Sequence, residues 1–107
     1  MFIAINRFRV FRGREYEFEL RWRERETGLQ ATPGFISVSL LRNWLGDDTT
    51  EYVSHSTWRS REDFDAWRAG QTLDYKRNGL GAVLADHPDV SVYEPVMTTS
   101  AREQVAR

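Results

Sequence analysis

The chain has no cysteine and only two histidines, His55 and His87, among its 107 residues. The first absence excludes disulfides, thiolate nucleophiles and the usual structural zinc sites. The second leaves too few imidazoles for a multi-histidine metal centre, so no metal site is expected. No apolar run approaches the ~20 residues that a membrane-spanning helix needs. Strand-like sequence begins at Phe2 without a leader pattern, and the expectation is a cytoplasmic protein with no membrane association. Neither sign of charge dominates: 15 basic and 16 acidic residues leave a formal net charge of −1. A general pull toward nucleic acid or anionic lipid is therefore not expected.

Aromatic residues are what the chain has in quantity: four Trp, four Tyr and six Phe. Some must be core, but the excess also suits a pocket for a flat aromatic ligand. A chain of this length makes one domain. Residues 1–97 read as that domain and 98–107 as a polar C-terminal tail.

The first strand is read from alternation over Phe2 to Val10. Phe2, Ala4, Asn6, Phe8 and Val10 share one face, and Ile3, Ile5, Arg7 and Arg9 the other. After the Arg12-Gly13 turn, a charged segment from about Arg14 to Gln30 places Phe18, Trp22, Arg25 and Leu29 on one helical stripe. Pro33-Gly34 stops it. Phe35 to Leu41 reads as a strand, Gly46-Asp47-Asp48 as a hairpin-like connection, and Glu51 to Trp58 as a third strand. Ser60 with Asp63 forms a capping-box pattern that opens a second helix, with Phe64 and Trp67 on its inner side. A further helical turn is expected to run to Lys76 or Arg77, followed by an Asn78-Gly79-Leu80-Gly81 loop and a fourth strand from Val90 to Val96. The order β-α-β-β-α-β is the ferredoxin-like α+β pattern, with an antiparallel sheet and both helices on one face. The strands read as apolar on both faces, with Ile36, Val38 and Leu40 opposing Phe35 and Leu41. An uncovered apolar face marks an interface, so a homodimer joined through the open sheet faces is expected.

Asn6 interrupts the apolar face of the first strand. It reads either as a core amide satisfied by a neighbouring loop or as a donor aimed into a cavity. Arg25 interrupts the stripe of the first helix, where it either snorkels to solvent or stabilises an anionic ligand group. Trp67 reads as core, or as the wall of a pocket that its indole N–H can address. Trp22 and Trp58 read mainly as core. His55 has the opposite strand parity to Trp58, which puts it on the dimer-facing side, and His87 lies in a loop. RNA-recognition domains share this element order, but Glu51 to Trp58 lacks the basic, glycine and aromatic pattern that base stacking requires, so no nucleic-acid partner is expected.

Phe2-Ile3-Ala4-Ile5-Asn6-Arg7-Phe8, then Pro33-Gly34-Phe35, then Thr57-Trp58-Arg59-Ser60-Arg61-Glu62-Asp63-Phe64-Asp65-Ala66-Trp67 resemble the antibiotic biosynthesis monooxygenase superfamily over roughly residues 2 to 96. The resemblance implies a dimeric α+β barrel and either of two activities, haem degradation or cofactor-independent oxygenation in polyketide tailoring. Haem-degrading members use an asparagine on the first strand, a tryptophan on the second helix and a histidine further on that ligates iron. Asn6 and Trp67 match the first two, and Arg25 matches a helix-one arginine near the ligand in some members. The histidine position falls at or near Arg77, and a guanidinium has no lone pair for iron. Tyr75 as tyrosinate and Lys76 as neutral amine are the remaining nearby donors.

The expectation that follows is a cofactor-independent oxygenase acting with O2 on a planar polycyclic phenol, anthrone or hydroquinone-like substrate, in natural-product tailoring. Asn6 and Trp67 would donate hydrogen bonds to substrate or peroxide oxygen, and Arg25 and Arg77 would stabilise the oxyanion. Phe18, Trp22, Phe64 and Tyr75 would line the substrate site. Haem as substrate or cofactor, with a non-histidine ligand or none, is the alternative. A non-catalytic module that binds an aromatic ligand is another.

Overall fold

A computed structural model describes residues 1–24, 28–44, 48–70, 80–86 and 88–102. Strand β1 spans Phe2–Phe11, helix α1 Glu15–Glu24, β2 Phe35–Asn43, β3 Thr49–Trp58, helix α2 Arg61–Ala69 and β4 Asp89–Tyr93. The strands form one antiparallel sheet in the order β2-β3-β1-β4, which is the ferredoxin-like topology. Among the described residues no helix is long and apolar enough to cross a membrane.

The centre of the sheet is the β1–β3 pair, in register from Phe2 opposite Trp58 to Phe11 opposite Thr49. Directly paired residues share a face, so the alternation of β1 is carried across the sheet. One face presents Phe2 with Trp58, Ala4 with Ser56, Asn6 with Ser54, Phe8 with Tyr52 and Val10 with Thr50. Both helices cover this face. From α1, Phe18 packs on Phe8 and Tyr52 with ring centroids 5.4 and 4.6 Å apart. From α2, Phe64 packs on Phe2 and Trp58 at 5.8 and 5.6 Å. These contacts build two separate core clusters at the two ends of the covered face. The opposite face carries Ile3, Ile5, Val53, His55 and Leu41, as expected for His55, and Leu41 is 51% exposed.

Local chemistry explains where the helices start. Gly13 takes a φ of 94°, and its N–H donates to Glu15 Oε1 at 2.8 Å. In α1 Glu15 and Glu17 lie in the first turn and Arg21 and Arg23 in the last, an order that complements the helix dipole. Glu17 pairs with Arg14 and Arg21 at i−3 and i+4. Ser60 caps α2 as its sequence pattern predicts: Ser60 Oγ accepts from the Asp63 N–H at 3.2 Å and donates to Asp63 Oδ2 at 2.9 Å.

The structure departs from the sequence reading at several points. Helix α1 is described over Glu15–Glu24, and Gly28 has a left-handed φ of 64°. Leu29 therefore lies in a separate 3-10 turn, Leu29–Ala31, rather than on the α1 stripe, and packs on the α2-side cluster. A register shift between Phe35 and Ser37 moves Phe35 onto the helix-covered face, where it meets Trp58 edge-on at 5.5 Å. Phe35, Val38 and Leu40 thus share that face, while Ser37, Ser39 and Leu41 point the other way. Strand β4 stops at Tyr93 rather than Val96. Leu80–Val83 is a 3-10 turn rather than open loop; the helical continuation expected over 71–77, the tip of the β2–β3 connection and His87 lie outside the described residues.

Gly34 joins the start of β2 to the cap of α2. Its φ is 81°, and a Cβ there would sit 2.1 Å from Asp63 Oδ2 and 2.5 Å from Asp63 Cβ. Its carbonyl accepts from Arg59 N–H at 2.8 Å. Gly34→Ala should therefore destabilise the fold by roughly 2–3 kcal/mol, combining left-handed strain with displacement of Asp63. Ser60→Ala should cost only about 1 kcal/mol through loss of the cap. Urea denaturation of the two variants checks both the signs and the order.

Candidate functional site

The helix-covered face of the sheet is not uniformly filled. Aromatic rows stand at its two ends, Phe8 with Tyr52 and Phe2 with Trp58. Between them lie two rows of small or polar residues: Val38-Ser56-Ala4-Val92 and Leu40-Ser54-Asn6-Val90. At a rise of ~3.4 Å per residue the two aromatic rows stand ~20 Å apart along β1. Helix α1 is anchored on one and helix α2 on the other. The stretch of sheet between the two anchors forms the floor of a candidate cleft with aromatic ends.

Asn6 stands on that floor. It is half-buried as a residue, but its Oδ1 is fully buried and has no hydrogen-bond partner. The sequence reading had it as a donor; the unpartnered atom is an acceptor. A 180° turn about the terminal torsion exchanges the two ends of the amide, so the position can serve either purpose.

Trp67 carries the second unpartnered buried atom, its indole Nε1. Its ring lies against Trp58 at 5.6 Å and against Phe64 at 6.4 Å. The contrast with Trp58 is informative. Trp58 is fully buried, and its indole donates to Ser56 Oγ at 3.0 Å while Ser56 donates to the Ala4 carbonyl at 3.3 Å. Two tryptophans in contact thus differ in one respect: one indole is satisfied within the protein and the other is not. An orphaned buried polar group costs about 1–3 kcal/mol, so a pair of them, one in the middle of β1 and one on α2, marks positions where a ligand can supply the missing partners.

The other residues expected at the site separate. Phe64 is 4% exposed and Phe18 has no exposed surface, so Phe18 supports the cleft from within the core. Trp22 is half-buried, edge-on to Phe8 at 5.5 Å, and reaches the cleft side of α1. Arg25, Tyr75 and Arg77 lie outside the described residues.

A groove of about 700 Å³ runs between α1 and β2, lined in part by Glu19, Trp22, Leu40, Arg42, Trp44 and Tyr52. Leu40 belongs to the same row as Asn6, so the groove adjoins the cleft floor. At its base Tyr52 OH donates to Glu19 Oε2, and Arg42 donates to the same oxygen at 2.9 Å. Arg42 also lies over the Trp44 ring, 4.7 Å from its centroid. Burial first, and donation to Glu19 second, push the Tyr52 phenol up to about 12. Sequence reading passed over Glu19 as one charge in a charged segment. Its spacing was the available clue: Glu15, Phe18, Glu19 and Trp22 fall at i, i+3, i+4 and i+7, and Glu15 likewise reaches the sheet, accepting from Thr50 Oγ1 at 2.6 Å.

The architecture has known counterparts. The family described as antibiotic biosynthesis monooxygenase matches residues 1–74. The chain belongs to that family. It is 34% identical over 71 residues to a mycobilin-producing haem oxygenase of Mycobacterium tuberculosis, a match spanning 66% of this chain and 66% of that protein. The structure of the haem degrader MhuD from the same organism, with two haems in its active site, superposes with a TM-score of 0.72 and 26% identity, covering 94% of this chain and 100% of that one. SnoaB, a cofactor-independent oxygenase from Streptomyces nogalater, superposes with a TM-score of 0.69 at 23% identity, covering 91% of this chain and 94% of that one, a likeness of fold.

Among the described residues, the donors on β3 do not suit haem iron, and Tyr75, Lys76 and His87 lie outside them. Iron needs a lone-pair donor, usually imidazole, thiolate, thioether or tyrosinate. The chain has no cysteine. Among the described residues His55 sits on the opposite face of the sheet from Asn6, and the Tyr52 phenol is held protonated and committed to Glu19. Among them, too, no cluster of His, Cys, Asp or Glu could hold a metal ion.

Two outcomes follow for the isolated protein. Asn6→Leu, which removes the orphan carbonyl at similar volume, should raise stability by about 1 kcal/mol in urea denaturation; an equal loss would mean that the amide is satisfied. Tyr52→Phe should remove the last step of the alkaline tyrosinate absorbance titration, near pH 12. The raised value favours the protonated phenol. Its contribution to stability is therefore complete below the ordinary value of about 10 and is lost as pH climbs to about 12.

Proposed function

We propose that the chain is a cofactor-independent oxygenase that uses O2 on a planar polycyclic phenol, anthrone or hydroquinone-like substrate, as in natural-product tailoring. The observation that carries this reading is the pair of buried, unpartnered polar atoms, Asn6 Oδ1 and Trp67 Nε1, in a cleft with aromatic ends. A flat ring system with oxygen substituents fits such a cleft: its faces meet aromatic side chains, and its oxygens meet one acceptor and one donor.

The chemistry requires no resident metal or flavin. For an anthrone, loss of a methylene proton gives an electron-rich anion that passes one electron to O2. The carbon radical and superoxide combine to a peroxide. Loss of the second methylene hydrogen as a proton, with cleavage of the O–O bond, leaves a carbonyl and water. The sum is anthrone plus O2 giving anthraquinone plus water, in which the methylene carbon is oxidised and O2 reduced. The protein's part is to bind the ring system, hold the oxygen substituents and stabilise developing negative charge. In this reading the Trp67 N–H donates to a substrate or peroxide oxygen, and the Asn6 amide fixes a ring hydroxyl or carbonyl. Arg25 and Arg77 stabilise the oxyanion. Trp22, Phe64 and Tyr75 contact the ring system, and Phe18 backs it.

Oxygen uptake with a dihydroxyanthrone, together with the quinone product, tests the reading. Asn6→Ala and Trp67→Phe should each lower kcat/KM by roughly ten-fold or more, the worth of a charge-stabilising hydrogen bond of about 1.5–3 kcal/mol. Undiminished turnover in both variants sinks it. Stabilisation by the ligand without turnover in the wild-type chain would instead indicate a binding module.

The haem-degrading relative favours haem as substrate, and haemin titration separates the two readings. The donor set predicts no sharp Soret band at stoichiometric haemin.

A homodimer joined through the open sheet faces is part of the same proposal. Ile3, Ile5, Val53 and Leu41 supply an apolar centre on the face that neither helix covers among the described residues. Light scattering at micromolar concentration should report twice the monomer mass, and Val53→Glu should halve it.

A further inference from the structure

We infer that Glu19 is the general base of the reaction, accepting the substrate proton from the groove between α1 and β2; the inference rests on the oxygenase reading above. Every other side chain lining this groove is apolar, aromatic, cationic or a phenol. Glu19 is the one carboxylate among them, and its oxygens can accept a proton. Its geometry is also that of a held base. The Tyr52 hydroxyl and the Arg42 guanidinium both bond Oε2, which fixes the carboxylate, and no hydrogen bond among the described residues engages Oε1. Tyr52 cannot take the proton itself, because its phenol remains protonated to high pH.

The charged groups around Glu19 are few. Tyr52 faces it from β3 and Arg42 from β2, while Glu15 and Arg23 lie one turn away on its own helix. The 3-10 turn Leu80–Val83, which also packs on α1, brings no titratable group.

Reach supports the assignment. Leu40 lines the groove and pairs with Ser54, which pairs with Asn6. Two strand spacings, ~10 Å, therefore separate the β2 side of the groove from Asn6, about the length of three fused rings. A substrate with one edge on Asn6 can present its acidic C–H or O–H in the groove between Trp22 and Trp44. In the proton transfer, the C–H or O–H bond breaks and its electron pair stays on the substrate as carbanion or phenolate. The proton bonds to Glu19 Oε1, and the acid so formed returns it as the peroxide loses water. O2 is the electron acceptor, as above.

Proton exchange measured without oxygen tests this independently of oxygenation. Under anaerobic D2O, the wild-type chain should catalyse exchange of the methylene protons of a dihydroxyanthrone, followed by NMR. Glu19→Gln keeps an oxygen for Tyr52 and Arg42 and should retain the melting temperature, yet slow exchange and kcat/KM by roughly a hundred-fold or more, within the usual worth of a general base. The acid limb of the pH profile should disappear with it. Glu19→Asp should recover part of the exchange. Exchange in Glu19→Gln within about three-fold of wild type, with an unchanged acid limb, overturns the assignment, a margin set well inside that expected loss. Exchange by the wild type without oxygen uptake would leave Glu19 as base and overturn the oxygenase reading. Absence of both activities overturns the two together.

Discussion

The pairing of β1 with β3 is the constraint on which the other features of this molecule depend. It runs unbroken for the length of both strands and decides which side chains share a row. Because rows repeat every second residue, the register that sets Phe8 beside Tyr52 also sets Ala4 beside Ser56 and Asn6 beside Ser54. A slip of one residue would turn both aromatic ends and the small-residue floor out to the open face. The two core clusters are thus consequences of one register, and so is the gap between them. The helices then follow, since each has an aromatic pair that only one end of the sheet can receive.

Against this background the orphaned atoms gain meaning. The interior satisfies its polar groups where it can: Trp58 through Ser56, Thr50 through Glu15 and Tyr52 through Glu19. The two atoms left over are not scattered but belong to side chains of the cleft, and an apolar residue at either position would be the more stable choice. A protein that keeps such groups trades stability for something that completes them, which is the usual bargain at a binding site.

Much of this was legible in the chain itself. The alternation of β1, the Ser60–Asp63 cap, the element order and the placing of His55 away from the cleft all follow from local rules of period and capping. Asn6 and Trp67 stood out as polar atoms in apolar settings, and both prove to be unpartnered. What could not be read was anything set by a single backbone event. Gly28 takes Leu29 off the helical stripe, because a left-handed residue ends the period that defined it. The irregularity at Phe35 changes faces without leaving a mark in the hydrophobic pattern. Glu19 was hidden for another reason: a half-buried, hydrogen-bonded carboxylate and a free surface one look alike until the Tyr52 and Arg42 that meet it from two strands are known.

The shift at the start of β2 has a wider effect on the shape of the open face. It sends Phe35 inward and leaves Ser37 and Ser39 as the outward residues at the start of β2, so on that strand the apolar contribution to the open face comes from Leu41, beside Val53. An edge strand bent by an extra residue and fringed with hydroxyls is a poor template for strand addition. The association proposed for this surface would then be face to face, which closes after two copies, rather than edge to edge, which does not.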